Sequence, residues 1–409
     1  MPFSQLTLCS ELSETLQANF TTPTEVQSQA IPAILGRKDV LAIAQTGSGK
    51  TLAYGLAILE QVRLQPCSTQ AIILVPTREL ATQVCDTLEP YANTVDITAL
   101  SLCGGIDKEW QKEQLLLTPE ILVATPGRLL DLLKDQSIDV SRLSAFVLDE
   151  ADRLLDMGFW PDIQEIVSLL PPKRQTLMFS ATFSEKLETQ AKELLHSPKR
   201  IQTSVANSVV GGIEETLYLV NKGSKTNALI AQLKQHNWSQ VLVFIGAKDN
   251  ADALCKKLTK AGISVAALHG NKSQQEREET LELFKQRKVN VLIATDLLAR
   301  GIHVQSLPVV INFELPSNAE VYVHRVGRTA RAGEQGVAIS LVCHGETEYL
   351  SAIRQLTLRE LPLEELEGFP VTDKPSSGQS KRAPRDKKAN RRTNSKKSVK
   401  QFQGKGKRS

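Results

Sequence analysis

The sequence of 409 residues is predicted to form two α/β domains, each a parallel β-sheet with helices on both faces. Short apolar runs alternate with longer amphipathic stretches, which is typical of buried parallel strands joined by helices. The alternation stops at a segment of small residues, 204–212, and then starts again. Ligands of such folds bind where the strands end at their carboxyl side. The residues that follow each apolar run are therefore the first candidates for function.

Twelve apolar runs are the predicted strands. In the first half they span 40–44, 71–76, 97–102, 121–125, 145–150 and 176–182. In the second half they span 216–220, 241–246, 265–270, 289–296, 309–315 and 337–343. The stretches between them, such as RELATQVCDTLEPYA, have helical spacing. The predicted organisation is a first domain, a linker, a second domain and a tail, at 1–206, 207–212, 213–368 and 369–409.

The composition is that of an ordinary globular protein, with 41% apolar and 23% charged residues. No apolar run approaches the roughly 20 residues that span a bilayer. The amino terminus lacks the basic and apolar regions of a secretion signal. The six cysteines are scattered without metal-ligand spacing, which indicates reduced thiols. These features predict a cytoplasmic protein that does not enter membranes.

The net charge of +4 conceals an asymmetry. Residues 374–409 contain 14 Lys/Arg and one acid, a net charge of +13, whereas the rest of the chain carries 35 Lys/Arg and 44 acids, or −9. This tail has almost no large apolar side chains and is expected to be disordered. It is either a solubilising tail or a tether that binds nucleic acid by releasing counterions. The motifs described next favour the tether.

A phosphate-binding loop is predicted at AQTGSGKT, residues 44–51, because it follows an apolar strand and precedes a helical stretch. Its glycines let backbone N–H groups turn toward phosphate oxygens, and the helix amino terminus adds positive potential. Lys50 would reach the β- and γ-phosphates, and the Thr51 hydroxyl would bind Mg²⁺. The nucleotide-binding candidates in this loop are Gln45, Thr46, Gly47, Ser48, Gly49, Lys50 and Thr51.

Two carboxylates follow another strand in VLDEAD, residues 147–152. Asp149 suits a Mg²⁺ ion, held through water, and Glu150 suits a water that attacks the γ-phosphate. An Asp-Glu pair alone is usually a solvated loop. Downstream of a phosphate loop, it predicts a nucleoside triphosphatase that uses Mg²⁺.

An ordered series of further motifs surrounds these two. It comprises TTPTEVQ (21–27), PTREL (76–80), GG (104–105), TPGR (125–128), SAT (180–182), VFIGAK (243–248), QQER (274–277), ATDLLARG (294–301) and HRVGRTAR (324–331). Together with DEAD at 149–152, the series resembles the DEAD-box RNA helicases over residues 3–365. The resemblance implies two tandem RecA-like domains, ATP as the nucleotide and RNA as the partner. The RNA preference rests on the resemblance alone.

The resemblance also implies roles at the nucleotide. Gln27, with Thr24 beside it, would recognise adenine, and Phe3 would cover the ring face unless it is only a hydrophobic anchor. Arg328 and Arg331 would act as arginine fingers, and their spacing predicts one shared helix face. An arginine finger contributes roughly 10³–10⁵ in rate. Catalysis would then require the two domains to meet around ATP.

Hydroxyls, arginines and glycines at matching family positions imply the strand-binding face, which is suited to phosphates rather than to bases. These residues are Thr77, Arg78, Gly104, Gly105, Thr125, Gly127, Arg128, Arg277 and Thr295. A further set is implied to couple hydrolysis to strand separation, namely Ser180, Thr182, Asp296, Arg300 and His324.

His303 stands where the family usually carries an aspartate that contacts the ATP ribose. It makes a weaker, pH-dependent ribose contact, or it has lost the contact. The segments GNKSQ (270–274) and LDMGF (155–159), with the short basic terminus, are most similar to the bacterial RhlE-type branch. The predicted function is a monomeric ATP-dependent RNA helicase that opens short duplexes or remodels RNA–protein complexes in ribosome assembly or RNA turnover. An ATP-gated RNA clamp and a DNA translocase are the alternatives.

Overall fold

The computed structural model describes residues 3–45, 47–64, 68–203, 212–296, 307–329 and 335–374. Over these ranges the chain forms two seven-stranded sheets in which every strand pairs in parallel with its neighbours. Among the described helices, none is long and apolar enough to cross a membrane. The predicted fold class, two tandem α/β domains that each contain a parallel sheet, is confirmed.

The first sheet has the strand order β3-β4-β2-β5-β6-β1-β7. Its strands are β1 Val40–Ile43, β2 Ala71–Leu74, β3 Ala99–Leu102, β4 Ile121–Ala124, β5 Ala145–Leu148, β6 Gln175–Ser180 and β7 Lys199–Gln202. Its helices are α1 Ser10–Asn19, α2 Glu25–Leu35, α3 Lys50–Val62, α4 Arg78–Ala92, α5 Lys108–Leu115, α6 Pro126–Lys134, α7 Ala151–Asp156, α8 Trp160–Leu169 and α9 Glu185–Leu194.

The second sheet repeats the same topology, in the order β10-β11-β9-β12-β13-β8-β14. Its strands are β8 Ile213–Leu219, β9 Val241–Phe244, β10 Val265–Leu268, β11 Val291–Ala294, β12 Val309–Asn312, β13 Gly336–Val342 and β14 Leu363–Glu365. The helices that the structure describes here are α10 Lys225–His236, α11 Lys248–Lys260, α12 Gln274–Lys285, α13 Ala319–Val326 and α14 Thr347–Thr357.

Side chains of successive strand residues enter two different cores. In β1, Val40 and Ala42 pack into one apolar cluster, whereas Leu41 and Ile43 pack into another. Because neighbouring side chains of a strand point to opposite faces, both faces of the sheet are covered. Full burial of such a side chain contributes about 1.5–3 kcal/mol. Residues that follow the strand ends are therefore the ones placed to face a ligand.

All twelve predicted strands are present, but two edge strands were missed. These are β7, with the sequence KRIQ, and β14, with the sequence LEE, which pair with β1 and β8 respectively. Both are short and mostly exposed, because an edge strand contacts a neighbour on one side only. Neither carries the apolar run by which the buried strands were recognised.

Candidate nucleotide and nucleic-acid site

The phosphate loop lies between the carboxyl end of β1 and the first turn of α3. Gly47 and Gly49 have φ of 83° and 88°, a left-handed conformation that favours glycine. Lys50 opens α3, is 8% exposed, and donates from Nζ to the carbonyls of Ala44 at 2.6 Å and Gln45 at 3.2 Å. The ammonium group is therefore held against the loop, beside the positive end of the helix dipole. This arrangement is suited to bind the phosphates of a nucleotide.

Gln27 joins the TTPTEVQ motif to this loop. Its Oε1 accepts the backbone N–H of Thr24 at 2.9 Å, and its Nε2 donates to the carbonyl of Gly49 at 3.2 Å. A Cβ at position 49 would collide with the Gln27 amide, so only glycine fits there. Phe3 is 2% exposed and belongs to the first core cluster, which favours its interpretation as a hydrophobic anchor over a cover for the adenine ring.

Asp149, directly after β5, is a buried carboxylate that fits a cation. Its Oδ2 accepts the Tyr54 hydroxyl at 2.8 Å, and its Oδ1 accepts the backbone N–H of Glu150 at 2.8 Å. Burial, reinforced by the charge of Glu150, raises the pKa of Asp149 to about 6. A divalent cation would relieve this cost. No group of three or more His, Cys, Asp or Glu side chains among the described residues forms a closed metal site. A Mg²⁺ held by one carboxylate, a hydroxyl, phosphates and waters is consistent with that donor set.

Glu150 is placed by an unusual backbone conformation. Its φ of 50° is in the left-handed region, which is uncommon for a residue other than glycine and often occurs at functional sites. Its carboxylate forms an ion pair with the buried Arg153. Burial alone would raise the pKa of Glu150, but the charges of Arg153, Arg328 and His324 outweigh burial and hold the pKa below its usual value. Glu150 is therefore ionised at neutral pH.

Asp152 connects three motifs through one carboxylate. Its Oδ2 accepts the backbone N–H of Ala181 at 3.2 Å, the N–H of Thr182 at 2.9 Å and the Thr182 hydroxyl at 2.6 Å. The same oxygen lies 3.2 Å from Nε2 of His324, which comes from α13 in the second half. Burial opposes ionisation, but His324 and Thr182 hold the pKa of Asp152 well below its usual value. The DEAD, SAT and HRVGR segments therefore meet at this residue.

Arg325, the neighbour of His324, turns to the other side and binds Asp296. Its Nε and Nη2 donate to the two carboxylate oxygens at 2.6 and 2.7 Å, and its Nη1 donates to Asn312 at 3.0 Å and to the carbonyl of Glu314 at 2.6 Å. Asp296 is thus held by a bidentate pair within the second half. Two successive residues of α13 link the DEAD segment to the strand end at Asp296.

Seven of the nine residues expected to contact RNA line one cavity of about 490 Å³, on the edge where the strands of the first sheet end. They are Thr77, Arg78, Gly104, Thr125, Gly127, Arg128 and Arg277. Arg277 comes from α12, so both halves contribute to the cavity. Gly105 lines a neighbouring cavity of about 620 Å³ together with Arg78 and Arg277. Thr295 lines neither cavity; its backbone N–H bonds to the carbonyl of Leu268 at 3.4 Å.

Individual contacts explain several of these residue types. Thr77 caps α4 through its hydroxyl, which accepts the N–H of Leu80 at 3.3 Å. The Arg78 guanidinium lies against Gly105, where a Cβ would collide with it. A Cβ at Gly104 or Gly127 would meet only open space, so a ligand can approach the backbone at both positions. Arg128 donates to the Ile106 carbonyl at 2.9 Å, which orients it along the cavity.

The prediction that Arg328 lies on a helix is wrong. Helix α13 ends at Val326, Gly327 follows as its cap, and Thr329 forms an isolated bridge with Leu307. Arg328 is 7% exposed and close enough to Glu150 for its charge to lower the pKa of that carboxyl. Thr46, Arg300, His303 and Arg331 lie outside the described residues, as does the tail from residue 375.

Sequence reasoning missed four residues that position the site: Tyr54, Asp152, Arg153 and Arg325. Arg153 could have been found, because Glu150 and Arg153 are three apart on a helical stretch. The partners of Asp152 and Arg325 come from elements distant in sequence. No local pattern would have identified them.

The chain has two parallel sheets of one topology. The first half carries a phosphate loop with Lys50, and its carboxylate Asp152 is contacted by His324 of the second half. These features are those of a protein that uses a nucleoside triphosphate and has two RecA-like domains. The family model described as DEAD/DEAH box helicase matches residues 24–190, and the model described as helicase conserved C-terminal domain matches residues 224–333. The chain belongs to the DEAD-box helicase family, and it is an ATP-dependent RNA helicase.

Named relatives and solved structures are similar over most of their length. The chain is 41% identical over 357 residues to the ATP-dependent RNA helicase DbpA of Escherichia coli, covering 87% of this chain and 77% of that protein. It is 38% identical over 365 residues to the ATP-dependent rRNA helicase RRP3 of Candida albicans, covering 89% and 68%. The structure of S. cerevisiae Dbp5 bound to RNA and ADP BeF3 is similar with a TM-score of 0.81 and 31% identity, covering 89% and 95%.

Proposed function

We propose that the chain uses ATP hydrolysis to open short RNA duplexes or remodel RNA–protein complexes during ribosome assembly or RNA turnover. The observation that carries this proposal is the junction at Asp152, where the segment beside the hydrolytic carboxylate meets a histidine of the second half. A change at the nucleotide can reach the RNA cavity, because both halves contribute to both places. The alternative of a clamp that rarely unwinds uses the same contacts.

In the proposed mechanism, each residue of the nucleotide edge has a distinct task. Lys50 exchanges its carbonyl partners for the β- and γ-phosphates, while Gln27 and Thr24 select adenine next to the loop. Thr51 and Asp149 would hold Mg²⁺, which supplies charge neutralisation at the phosphates when bound. Glu150 orients the attacking water, and Arg328 and Arg331 from the second half stabilise the developing charge.

Closure couples this chemistry to RNA. Thr182 and His324 share Asp152, and the His324 contact, which crosses between the halves, reports whether they are together. The RNA cavity contains arginines from both halves, and a backbone bent to fit it would no longer match a duplex. Hydrolysis then removes the ligand that favours closure, and the strand is released.

Finer points of the proposal rest on the sequence. The GNKSQ and LDMGF segments support membership of the RhlE-type branch. The proposed location is the cytoplasm, the proposed state is a monomer, and the proposed domain boundaries are 1–206 and 213–368 around a linker at 207–212. The relative RRP3 is named as an rRNA helicase, which supports a precursor of the ribosome as the substrate.

The decisive experiment measures ATP hydrolysis and displacement of a short RNA duplex in the same reaction. A helicase gives RNA-stimulated hydrolysis together with ATP-dependent displacement. Tight ATP-dependent binding without displacement identifies a clamp. Stimulation by DNA that equals stimulation by RNA identifies a DNA translocase and contradicts the proposal.

The basic tail is proposed to tether RNA through its charge of +13 over residues 374–409. Removal of these residues should weaken RNA affinity and flatten its dependence on salt, because fewer counterions are released. Affinity is measured over a series of salt concentrations for the full and shortened chains. Equal slopes would show that the tail is not a tether.

A further inference from the structure

A basic cavity lies at the edge of the first sheet opposite the phosphate loop. Its volume is about 630 Å³, and it is formed where three loops lead into the amino ends of β1, β6 and β7. Four cationic side chains line it: Arg37, Lys38, Arg174 and Lys199. The motifs for ATP and RNA follow the carboxyl ends of strands, apart from TTPTEVQ (21–27), which precedes β1 but bonds to the phosphate loop through Gln27. The cavity is therefore separate from the site described above.

The one carboxylate among the described lining residues is already used to join the loops. Asp39 accepts the backbone N–H of Thr176 at 2.8 Å on Oδ1 and that of His196 at 2.7 Å on Oδ2. Its carbonyl accepts the N–H of Lys199 at 2.7 Å. Asp39 thus fixes the shape of the cavity, and its single charge offsets only a quarter of the four cations.

Arg174 is the cation most clearly prepared for an anion. Its Nη1 donates to the Pro171 carbonyl at 2.7 Å, but its Nε is buried and has no hydrogen-bond partner among the described residues. Burial lowers the pKa of Arg174, and the charge of Asp39 only partly offsets this. The guanidinium carbon lies 6.0 Å over the ring of Phe146, so a cation–π contact offsets part of the cost of burial, and an acceptor for Nε would offset more. A phosphate oxygen matches its planar donor geometry.

The cluster of cations at this cavity is a property of the first sheet that the shared strand order does not impose. The strands β8 and β14, which occupy the places of β1 and β7 in the second sheet, carry Glu214, Glu215, Glu364 and Glu365. The corresponding strands of the second half thus carry glutamates, one of which, Glu215, is paired with Arg359. The cations of the first half are a feature of this sequence that the fold does not require.

We propose that this cavity is an auxiliary phosphate-binding site for the RNA, which holds backbone outside the segment bound at the carboxyl edge. The proposal rests on the RNA binding proposed above. Arg37, Lys38 and Lys199 are exposed at the rim, where an extended polyanion can pass from one to the next. The described lining includes Pro172 and Pro198 but no Phe, Tyr or Trp ring, so it can contact phosphates without stacking bases.

The test reverses charge at two exposed lysines of the rim, in the double variant Lys38→Glu/Lys199→Glu. The matched control is Lys256→Glu/Lys260→Glu, which makes the same change in net charge at exposed positions on α11. Both variants keep the tail, and thermal unfolding checks that both are folded. Affinity is measured for a short RNA strand that fills only the RNA cavity at the carboxyl edge, and for a long structured RNA.

Loss of two phosphate contacts should weaken binding of the long RNA about tenfold and reduce its salt slope by about 1.5, while the short strand is bound normally. The control should retain affinity for both. Equal affinity of the two variants for the long RNA would overturn the proposal. A rim variant that loses inorganic tripolyphosphate but keeps the long RNA would assign the cavity to a small anion and also overturn it.

Failure of the proposed function would be visible separately. It would show as a wild-type chain whose ATP hydrolysis does not respond to the short strand. That result does not depend on the rim lysines. The two failures are therefore distinguishable within one set of measurements.

Discussion

The two halves place a buried lysine at the same point of the same topology, yet they bond it differently. Lys50 opens α3 after β1, and Lys225 opens α10 after β8; they are 8% and 4% exposed. The local sequences are also alike, TGSGKT in the first half and KGSKT in the second. Lys50 donates to two loop carbonyls, whereas Lys225 donates to the carbonyl of Phe313 at 2.9 Å and to the carboxylate of Glu346 at 2.6 Å.

The backbone conformations of the two loops also differ. Gly47 and Gly49 adopt left-handed φ, and Gly223 lies in a short 3-10 turn at Lys222–Ser224. Glu346 accepts the N–H groups of Leu315 and Cys343 as well as the lysine. In the second half, a carboxylate of the protein thus supplies the negative charge that a nucleotide phosphate would supply in the first. One topology can hold an external anion or an internal one.

One large expected effect distinguishes Lys50 from Lys225. Lys50→Met should reduce RNA-stimulated ATP hydrolysis at least about 100-fold, because a positioned donor to the phosphates is lost. Lys225→Met should leave the turnover per folded molecule unchanged. Hydrolysis is followed by phosphate release at saturating ATP and RNA. A comparable loss in both variants would mean that the second loop also acts on the nucleotide.

Glu150 of the first half can be compared with Glu346 of the second, since each carboxylate is paired with a buried cation; the partner of Glu150 is Arg153. Glu150→Gln should keep ATP binding but reduce hydrolysis by about 10²–10⁴, because an amide cannot accept the proton of water. Binding is measured with a fluorescent ATP analogue and turnover by phosphate release. Undiminished turnover would refute the catalytic role and make this ion pair structural, like that of Glu346.

Breaking the internal pair of the second half should cost stability and not activity. Lys225→Met leaves the carboxylate of Glu346 buried without its cation, and the free energy of unfolding should fall by about 3–5 kcal/mol. The double variant Lys225→Met/Glu346→Gln should recover part of this loss, because no buried charge is left. Urea unfolding of the three proteins measures both steps. A double variant no more stable than Lys225→Met would contradict the internal-anion interpretation.

Glu320, at the start of α13, is a carboxylate of the second half that lies near other carboxylates, whereas Glu346 is paired with a lysine. Burial, with the charges of Asp156 and Asp152, raises its pKa from 4.5 to about 7. A raised pKa favours the protonated form in the folded state, so this group costs more stability as the pH rises from 4.5 to 7 and no more above 7. Glu320→Gln should therefore gain stability over the wild type across that interval. Urea midpoints that shift in parallel at every pH would contradict this.

Apolar patterning was sufficient to predict the buried strands of both sheets. Runs such as VLAIA and AFVLDE have to be buried on two faces, and only a covered parallel sheet accommodates them. The edge strands β7 and β14 were beyond this reasoning, since charged residues such as Lys199 are tolerated where a strand has one neighbour. Their pairing with β1 and β8 depends on the completed sheet.

Motif order was sufficient to predict which residues gather, but not which atoms they contact. Seven of the nine residues expected at RNA collect in one cavity, because loops at the carboxyl edge converge there. The bonds of Gln27 to Gly49 and of Arg325 to Asp296 depend on three-dimensional approach and have no local signature. The prediction that Arg328 lies on a helix was wrong because α13 ends at Val326 and Gly327 is its cap.

The shared oxygen of Asp152 limits which sequences this chain could acquire during evolution. Two backbone N–H groups, a hydroxyl and an imidazole all point at Oδ2. Asparagine would remove the charge that these donors stabilise, and glutamate would carry the carboxylate one methylene too far. No single change at Ala181, Thr182 or His324 restores the set, because none of these residues supplies all four donors. We therefore expect Asp152 to change less during evolution than a carboxylate with a single partner, because its three neighbours would have to change together with it.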